Sequence, residues 1–239
     1  MTEWALAIDS TLPGIGVGLF QNGEAVETEI LGDASNSAHL LPMMTRKVIN
    51  AHGLSMADLA YIAVAAGPGS FTGIRSGLAF AHGIRSGSKV SIFAASSIQL
   101  LANDLARQKK SSVTLYLGST QEWGYCAFGI QGKDDATALP ISITQLREAA
   151  ATDGHIGSLG QRFLLGDWAT FSALHSCSSE SFTRIDYTQY LLDSLTHLAE
   201  YGQIRVKLKA NDPLLPIYLR PPTVVERLTQ AKGKNISAI

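Results

Sequence analysis

Residues 65–84 read AAGPGSFTGIRSGLAFAHGI, five glycines and one proline set between an apolar run and a helical pattern. The preceding run LAYIAVAAG (59–67) has almost no polar interruption and ends in turn residues, which predicts a strand buried on both faces. The pattern after Ser70 predicts a helix, so 65–73 is a strand-to-helix junction. Free backbone amides at a helix start attract anions, and a phosphate cradle is one reading of the loop. It is not a Walker loop, because no Gly-Lys-Ser/Thr closes it, and GxGxxG does not fit its register. Within the helix, Gly73, Gly77 and Ala81 recur at i, i+4 and i+8 and share one face. Each interior glycine costs about 1 kcal/mol relative to alanine, and close approach of another backbone is the usual physical reason for one. Two readings stand: packing inside the chain, or approach of a partner helix.

Upstream, EWALAIDS (3–10) and IGVGLFQNGEAVETEIL (15–31) predict a strand followed by a hairpin. Asn22-Gly23 supplies the positive φ that a tight hairpin turn needs. Residues 35–53, SNSAHLLPMMTRKVINAHG, predict a helix with Ser35, Asn36 and Ser37 as caps, Leu40, Met44 and Val48 on one stripe, a kink near Pro42 and a stop at Gly53. KVSIFAAS (89–96) predicts a strand and SIQLLANDLARQ (97–108) a helix. The order is βββαβαβα. Beyond about residue 110, SVTLYLG, WGYCAFGI and RFLLGD predict strands, while ITQLREAA and IDYTQYLLDSLTHLAEYG predict helices. Two lobes, 1–109 and 110–239, are the natural division. The tail, with half of the eight prolines and a basic end at Lys232 and Lys234, is expected to be loosely ordered.

With 239 residues, 46% hydrophobic and only 16% charged, the chain can bury a large core. A net charge of −1 provides no overall field toward nucleic acid or anionic membrane, so any such contact is local or made by a partner. Cys126 and Cys177 form neither a disulfide framework nor a CxxC site. MTEWALAIDST lacks the features of a signal peptide, and no run of 18 apolar residues follows, so the expectation is a cytoplasmic protein without a membrane.

Asp9, Ser10 and Thr11 follow the first strand. A carboxylate and hydroxyls there suit a hydrated magnesium and phosphates, or simply start a turn. His39, His52 and His82 form no HxxxH or HExxH, so no metal is expected. GPGSFTG does not have the GxSxG spacing of a nucleophile elbow. Leu40, Leu41, Met43 and Met44 form an apolar belt wider than one core stripe, which suits a deep core or an adaptable contact surface.

LAIDST (6–11), HLLPM (39–43), GPGSFTGIRSGLAFAHGI (67–84) and PIYLRPP (216–222) together resemble the TsaB (YeaZ) family, in order, over residues 3–221. The resemblance implies an α/β, two-lobed actin-like or hexokinase-like fold of duplicated ribonuclease-H-like lobes. It implies a noncatalytic relative of TsaD, the transferase that places threonylcarbamoyl on N6 of adenosine 37 in tRNAs reading codons that begin with A. The implied partners are TsaD in a heterodimer, TsaE joining the pair, a homodimer where TsaD is absent, and tRNA only through the complex, with no cofactor. The HxxxH of TsaD falls on Ala95 and Gln99, which cannot hold iron or zinc as imidazole does. Relatives carry Asp-Ala-Arg where Gly118, Ser119 and Thr120 stand here, although Glu122 and Tyr125 remain. The loss of that acid argues against the other reading, an ATP-dependent kinase or ATPase. In the family the two helices holding HLLPM and the glycine face meet their equivalents in TsaD. The expected interface is therefore Leu40, Leu41, Met43, Met44, Gly73, Ile74, Gly77, Leu78 and Ala81, with Asp9, Ser10 and Thr11 as a vestigial nucleotide site. On this expectation Gly77→Leu abolishes partner binding while the monomer stays folded.

Overall fold

The computed structural model describes residues 2–32, 37–118, 123–130, 132, 138–142, 160–165, 182–211 and 213–218. The expected helix 143–150, Cys177, Ser119, Thr120, Glu122 and the tail beyond 218 lie outside them.

The chain opens with the expected meander, β1 (Trp4–Asp9), β2 (Ile15–Gln21) and β3 (Glu24–Leu31). Its hairpin turns at Asn22 (φ 54) and Gly23 (φ 90), the twist that matches two right-handed strands. α1 (Leu41–Ala51), β4 (Leu59–Ala65), α2 (Phe71–Gly87), β5 (Ser91–Ala95) and α3 (Ser97–Lys109) follow. The kink near Pro42 does not form. Ser37–Leu40 make a short 3-10 turn, and Pro42 stands in the first turn of α1, where its missing N–H forfeits no intrahelical bond. In the second half come β6 (Val113–Gly118), β7 (Trp123–Gly129), β8 (Ala138–Ser142), β9 (Gln161–Leu165), β10 (Thr183–Ile185) and α4 (Tyr187–Lys207).

The first sheet has the order β3-β2-β1-β4-β5 and the second β8-β7-β6-β9-β10. In each, the first three strands are antiparallel neighbours and the last two add in parallel. The second sheet thus repeats the first strand for strand, and the chain has the duplicated two-sheet α/β architecture.

Alternation along the central strands separates two faces of the first sheet. Leu6 and Ile8 of β1, with Ile62 and Val64 of β4, face α1 and α2. Ala5, Ala7, Ala63 and Ala65 point the other way, and their small size lets α4 settle there through Leu195, Leu198 and Ala199. α3 is exchanged in the opposite sense. It follows β5 of the first sheet but packs Ile98, Leu101, Ala102 and Leu105 on Val113, Leu115, Tyr125 and Ala127 of the second. Each half therefore lends its last helix to the other, and α3 and α4 touch between the sheets. At roughly 1.5–3 kcal/mol per large apolar side chain removed from water, this exchange is a major part of what holds the lobes together.

Candidate functional site

β1 ends at Asp9, beside the turn that leads to β2. The carboxylate is completely buried. Its Oδ1 accepts from the Thr11 amide at 2.9 Å and the Thr11 hydroxyl at 2.7 Å. Its Oδ2 accepts from the Tyr190 hydroxyl at 3.1 Å and the Ser194 hydroxyl at 2.5 Å, both on α4. The Ser97 hydroxyl of α3, 2.5 Å from Tyr190 Oη, completes a relay from α3 through Tyr190 to Asp9. Burial and the adjacent Asp9 carboxylate hold the Tyr190 phenol well above its ordinary pKa, so it stays a neutral donor. A carboxylate offers about four lone-pair positions, and all four are engaged by the chain itself. The structure brings Asp9 and Thr11 together as a pin between the exchanged helices, with no coordination position left for a magnesium ion.

Ser10 serves the glycine loop. Its hydroxyl donates to the Gly73 carbonyl at 2.9 Å, and the Ser70 amide donates to the Thr11 carbonyl at 2.6 Å. A Cβ on Gly73 would lie 1.9 Å from the Ser10 carbonyl oxygen, and one on Gly69 would lie 2.0 Å from that of Thr11. The glycines let the loop and the first turn of α2 press against the β1–β2 turn. Ser70 caps α2 by accepting from the Gly73 amide at 3.3 Å. Two amides of the junction, those of Ser70 and Gly73, are thus already bonded within the chain.

Residues 213–218 close over the loop. The Ile217 amide donates to the Ala66 carbonyl at 2.7 Å. Tyr218 stacks 4.9 Å from the Phe71 ring and accepts from Arg75 Nε at 3.1 Å, while the Arg75 guanidinium lies 3.8 Å over Phe71. GPGSFTGIR and PIYLRPP, 143 residues apart at Arg75 and Tyr218, form one surface cluster.

The expected partner interface is corrected by burial. Gly77, Ile74, Leu78 and Ala81 of α2, with Leu41 and Met44 of α1, face the chain's own first core. Gly73 is tight against Ser10, and a Cβ on Gly77 would lie 2.8 Å from Ser10 Oγ. The glycine face is used by internal packing, so Gly77→Leu is expected to damage the fold rather than spare it. Of the named set, Met43 is 61% exposed and Leu40 is partly so. The outward face of α2 is instead Thr72, Ser76, Ala79 and Gly83, small residues spaced by three or four. Sequence spacing could show that Gly73, Gly77 and Ala81 share a face, but not which way that face points. Ser97, Tyr190 and Ser194 are site residues that no motif in the sequence marks. Their signal was hydroxyls lying in the apolar stripes of two helices, where a buried donor needs a partner.

Ala95 and Gln99 line a cavity of ≈ 420 Å³ between α3 and α4 that also holds His197, whose Nε2 is 3.1 Å from Asp104. Among the described residues, no group of three or more His, Cys, Asp or Glu is placed to hold a metal ion. Burial pushes the Cys126 thiol up to about 12, which leaves no thiolate for nucleophilic work near neutrality. No helix among the described residues is long and apolar enough to cross a membrane.

Comparison with known proteins agrees with this geometry. A family model described as TsaD, tRNA N6-adenosine threonylcarbamoyltransferase, matches residues 33–127. The chain is similar to the tRNA threonylcarbamoyladenosine biosynthesis protein TsaB of Buchnera aphidicola, 29% identical over 115 residues covering 48% of this chain and 54% of that one. TsaB of Escherichia coli is 28% identical over 110 residues, 46% and 47% of the two chains. TsaB of Haemophilus influenzae is 30% identical over 97 residues, 41% of each. The match thus spans about half the length of these curated relatives. Among solved structures, YeaZ from Pseudomonas aeruginosa superposes with a TM-score of 0.68 at 19% identity, covering 91% of this chain and 100% of that one. That likeness shows the fold. The chain is thus similar to TsaB proteins in sequence over about half its length and to YeaZ in fold over most of it.

Proposed function

We propose that the chain is a noncatalytic subunit of the tRNA threonylcarbamoyladenosine machinery, a partner of a TsaD-type transferase in placing threonylcarbamoyl on N6 of adenosine 37. The observation that carries the reading is Asp9. In an actin-like fold a carboxylate at the end of the first strand is where a metal-bound phosphate would be positioned, and here it is buried and bonded four times by the chain itself. A chain so arranged contributes through its surface. The outward faces of α1 and α2 supply that surface, with Met43 and Leu40 as apolar contacts and Thr72, Ser76, Ala79 and Gly83 allowing a facing helix to approach closely. A second copy of the chain would use the same face when the transferase is absent, and a TsaE-type ATPase would join the pair.

The test is reconstitution from the chain, a TsaD-type transferase, a TsaE-type ATPase, threonylcarbamoyl-adenylate and unmodified tRNA. Product that forms only when the chain is included supports the proposal. Magnesium-dependent ATP turnover by the chain alone, lost in Asp9→Ala, would replace it with the kinase or ATPase reading.

A further inference from the structure

A second concave feature lies at the opposite end of the first sheet from Asp9. Because β1, β4 and β5 are parallel, Asp9 ends one strand where the glycine loop gathers, while Ser91 begins another at the far edge. There a cavity of ≈ 290 Å³ is lined by Arg85, Ser88, Lys89, Ser91 and Asn211. α2 runs from the glycine loop to this cavity, and its 17 residues separate the two by roughly 24 Å at 1.5 Å per residue. The turn that closes α4 and brings Asn211 to the cavity carries Lys207 and Lys209.

Arg85 and Lys89 line the cavity, and Lys207 and Lys209 precede Asn211 on the segment that reaches it. None has an ion-pair partner among the described residues, in contrast to Lys47 with Glu29 and Arg107 with Asp104. Cations in a last helical turn are commonly explained by the partial negative charge of the helix C-terminus, and Arg85 and Lys207 fit that account. Lys89 and Lys209 lie beyond the helix ends and do not. Asp212, next in the sequence, lies outside the described residues. On a chain of net charge −1, two cations lining a polar hollow and two more on the adjoining turn, none ion-paired among the described residues, are a local concentration of positive charge.

We infer that this hollow binds the sugar-phosphate backbone of RNA. Ser88, Ser91 and Asn211 offer neutral donors to phosphate oxygens beside Arg85 and Lys89, the mixture that positions a nucleic-acid backbone without reading its sequence. The open, solvated cations favour a polyanion over a single sequestered phosphate, because release of condensed counterions adds to each contact. The inference rests on the proposed function, which supplies tRNA as the polyanion. It assigns this chain a direct tRNA contact within the complex, where the resemblance implied contact only through the partner.

The test is titration of a labelled tRNA transcript with the assembled complex at several salt concentrations. It compares wild type, Arg85→Glu/Lys89→Glu and the charge-matched control Lys109→Glu/Lys110→Glu at the end of α3. The expected result for Arg85→Glu/Lys89→Glu is a slope of log K against log salt that is shallower by about 2, one per cation removed. Affinity at low salt should fall at least about tenfold, and the control should keep the wild-type slope. Lys207→Gln/Lys209→Gln, altering the turn that leads to Asn211, should also make the slope shallower. Equal slopes in all four proteins, or equal losses in the hollow variants and the control, would overturn the inference. So would loss of binding to phosphatidylserine vesicles with an unchanged tRNA slope, which would make the hollow a membrane contact. Product formation in the same complexes separates the two levels. A wild-type mixture that needs no chain to form product defeats the proposed function, whereas unchanged slopes in a mixture that needs it defeat only the RNA contact.

Discussion

Replacing Asp9 with alanine separates a structural pin from a ligand site. The substitution removes the acceptor of four hydrogen bonds. Tyr190 keeps Ser97 as a partner, but the Thr11 amide, the Thr11 hydroxyl and the Ser194 hydroxyl lose theirs in a region without solvent. A buried donor left unbonded costs about 1–3 kcal/mol. Three such groups, which share one site and so do not add fully, should together cost about 4 kcal/mol. For a chain of this length each kcal/mol shifts Tm by about 2–4 °C, so Asp9→Ala should melt about 8–16 °C below wild type in calorimetry. Ser194→Ala removes one donor and leaves no orphan, and should cost about 1 kcal/mol. A carboxylate held for an absent cation behaves in the opposite way, since neutralising it relieves desolvation. An Asp9→Ala protein that melts at or above the wild-type temperature would therefore refute the pin.

The glycine face gives two opposed outcomes. Gly73→Ala drives a Cβ against the Ser10 carbonyl and should destabilise the chain by about 2–3 kcal/mol in denaturant titration. Gly83→Ala meets nothing within 4 Å on an exposed helical turn and should stabilise the isolated chain by about 1 kcal/mol. It should also weaken a TsaD-type partner in titration calorimetry, as should Met43→Asp; unchanged affinity in both would remove the outer α1–α2 face from the proposed interface. A further outcome concerns alkaline pH. Burial raises Cys126 from 9.0, and Tyr116, its cross-strand neighbour, from 10.0, each to about 12. The folded chain keeps these protons after the unfolded chain has lost them, so this stability is full below pH 9 and declines as pH rises toward 12. Cys126→Ala should make the decline shallower by up to about 1.4 kcal/mol per pH unit above pH 9. Parallel wild-type and variant curves would contradict the assignment.

Much of the first sheet was legible because its signals are local. Asn22-Gly23 sets a hairpin, the unbroken run 59–67 sets a buried strand, and α2 begins where Ser70 can cap it. What escaped was set by distant partners. Whether the glycines of α2 look inward depends on Ser10, 63 residues away, and whether Asp9 is free depends on Tyr190 and Ser194, more than 180 residues away. Pro42 was ambiguous for a local reason, since the same residue that kinks a helix interior also starts a helix, and α1 begins at Leu41, six residues inside the expected span 35–53.

The exchange of terminal helices also sets an order of events during synthesis. The strands and helices from Trp4 to Ala95 leave the ribosome as one continuous piece and can form the outer α1–α2 face at once. Their alanine-lined rear face must wait for α4, which begins only at Tyr187. Until then the nascent first lobe exposes an apolar sheet face and an Asp9 bonded only by Thr11, and a chain truncated before α4 would retain both. The surface proposed for partner binding is thus complete before the body that carries it is closed.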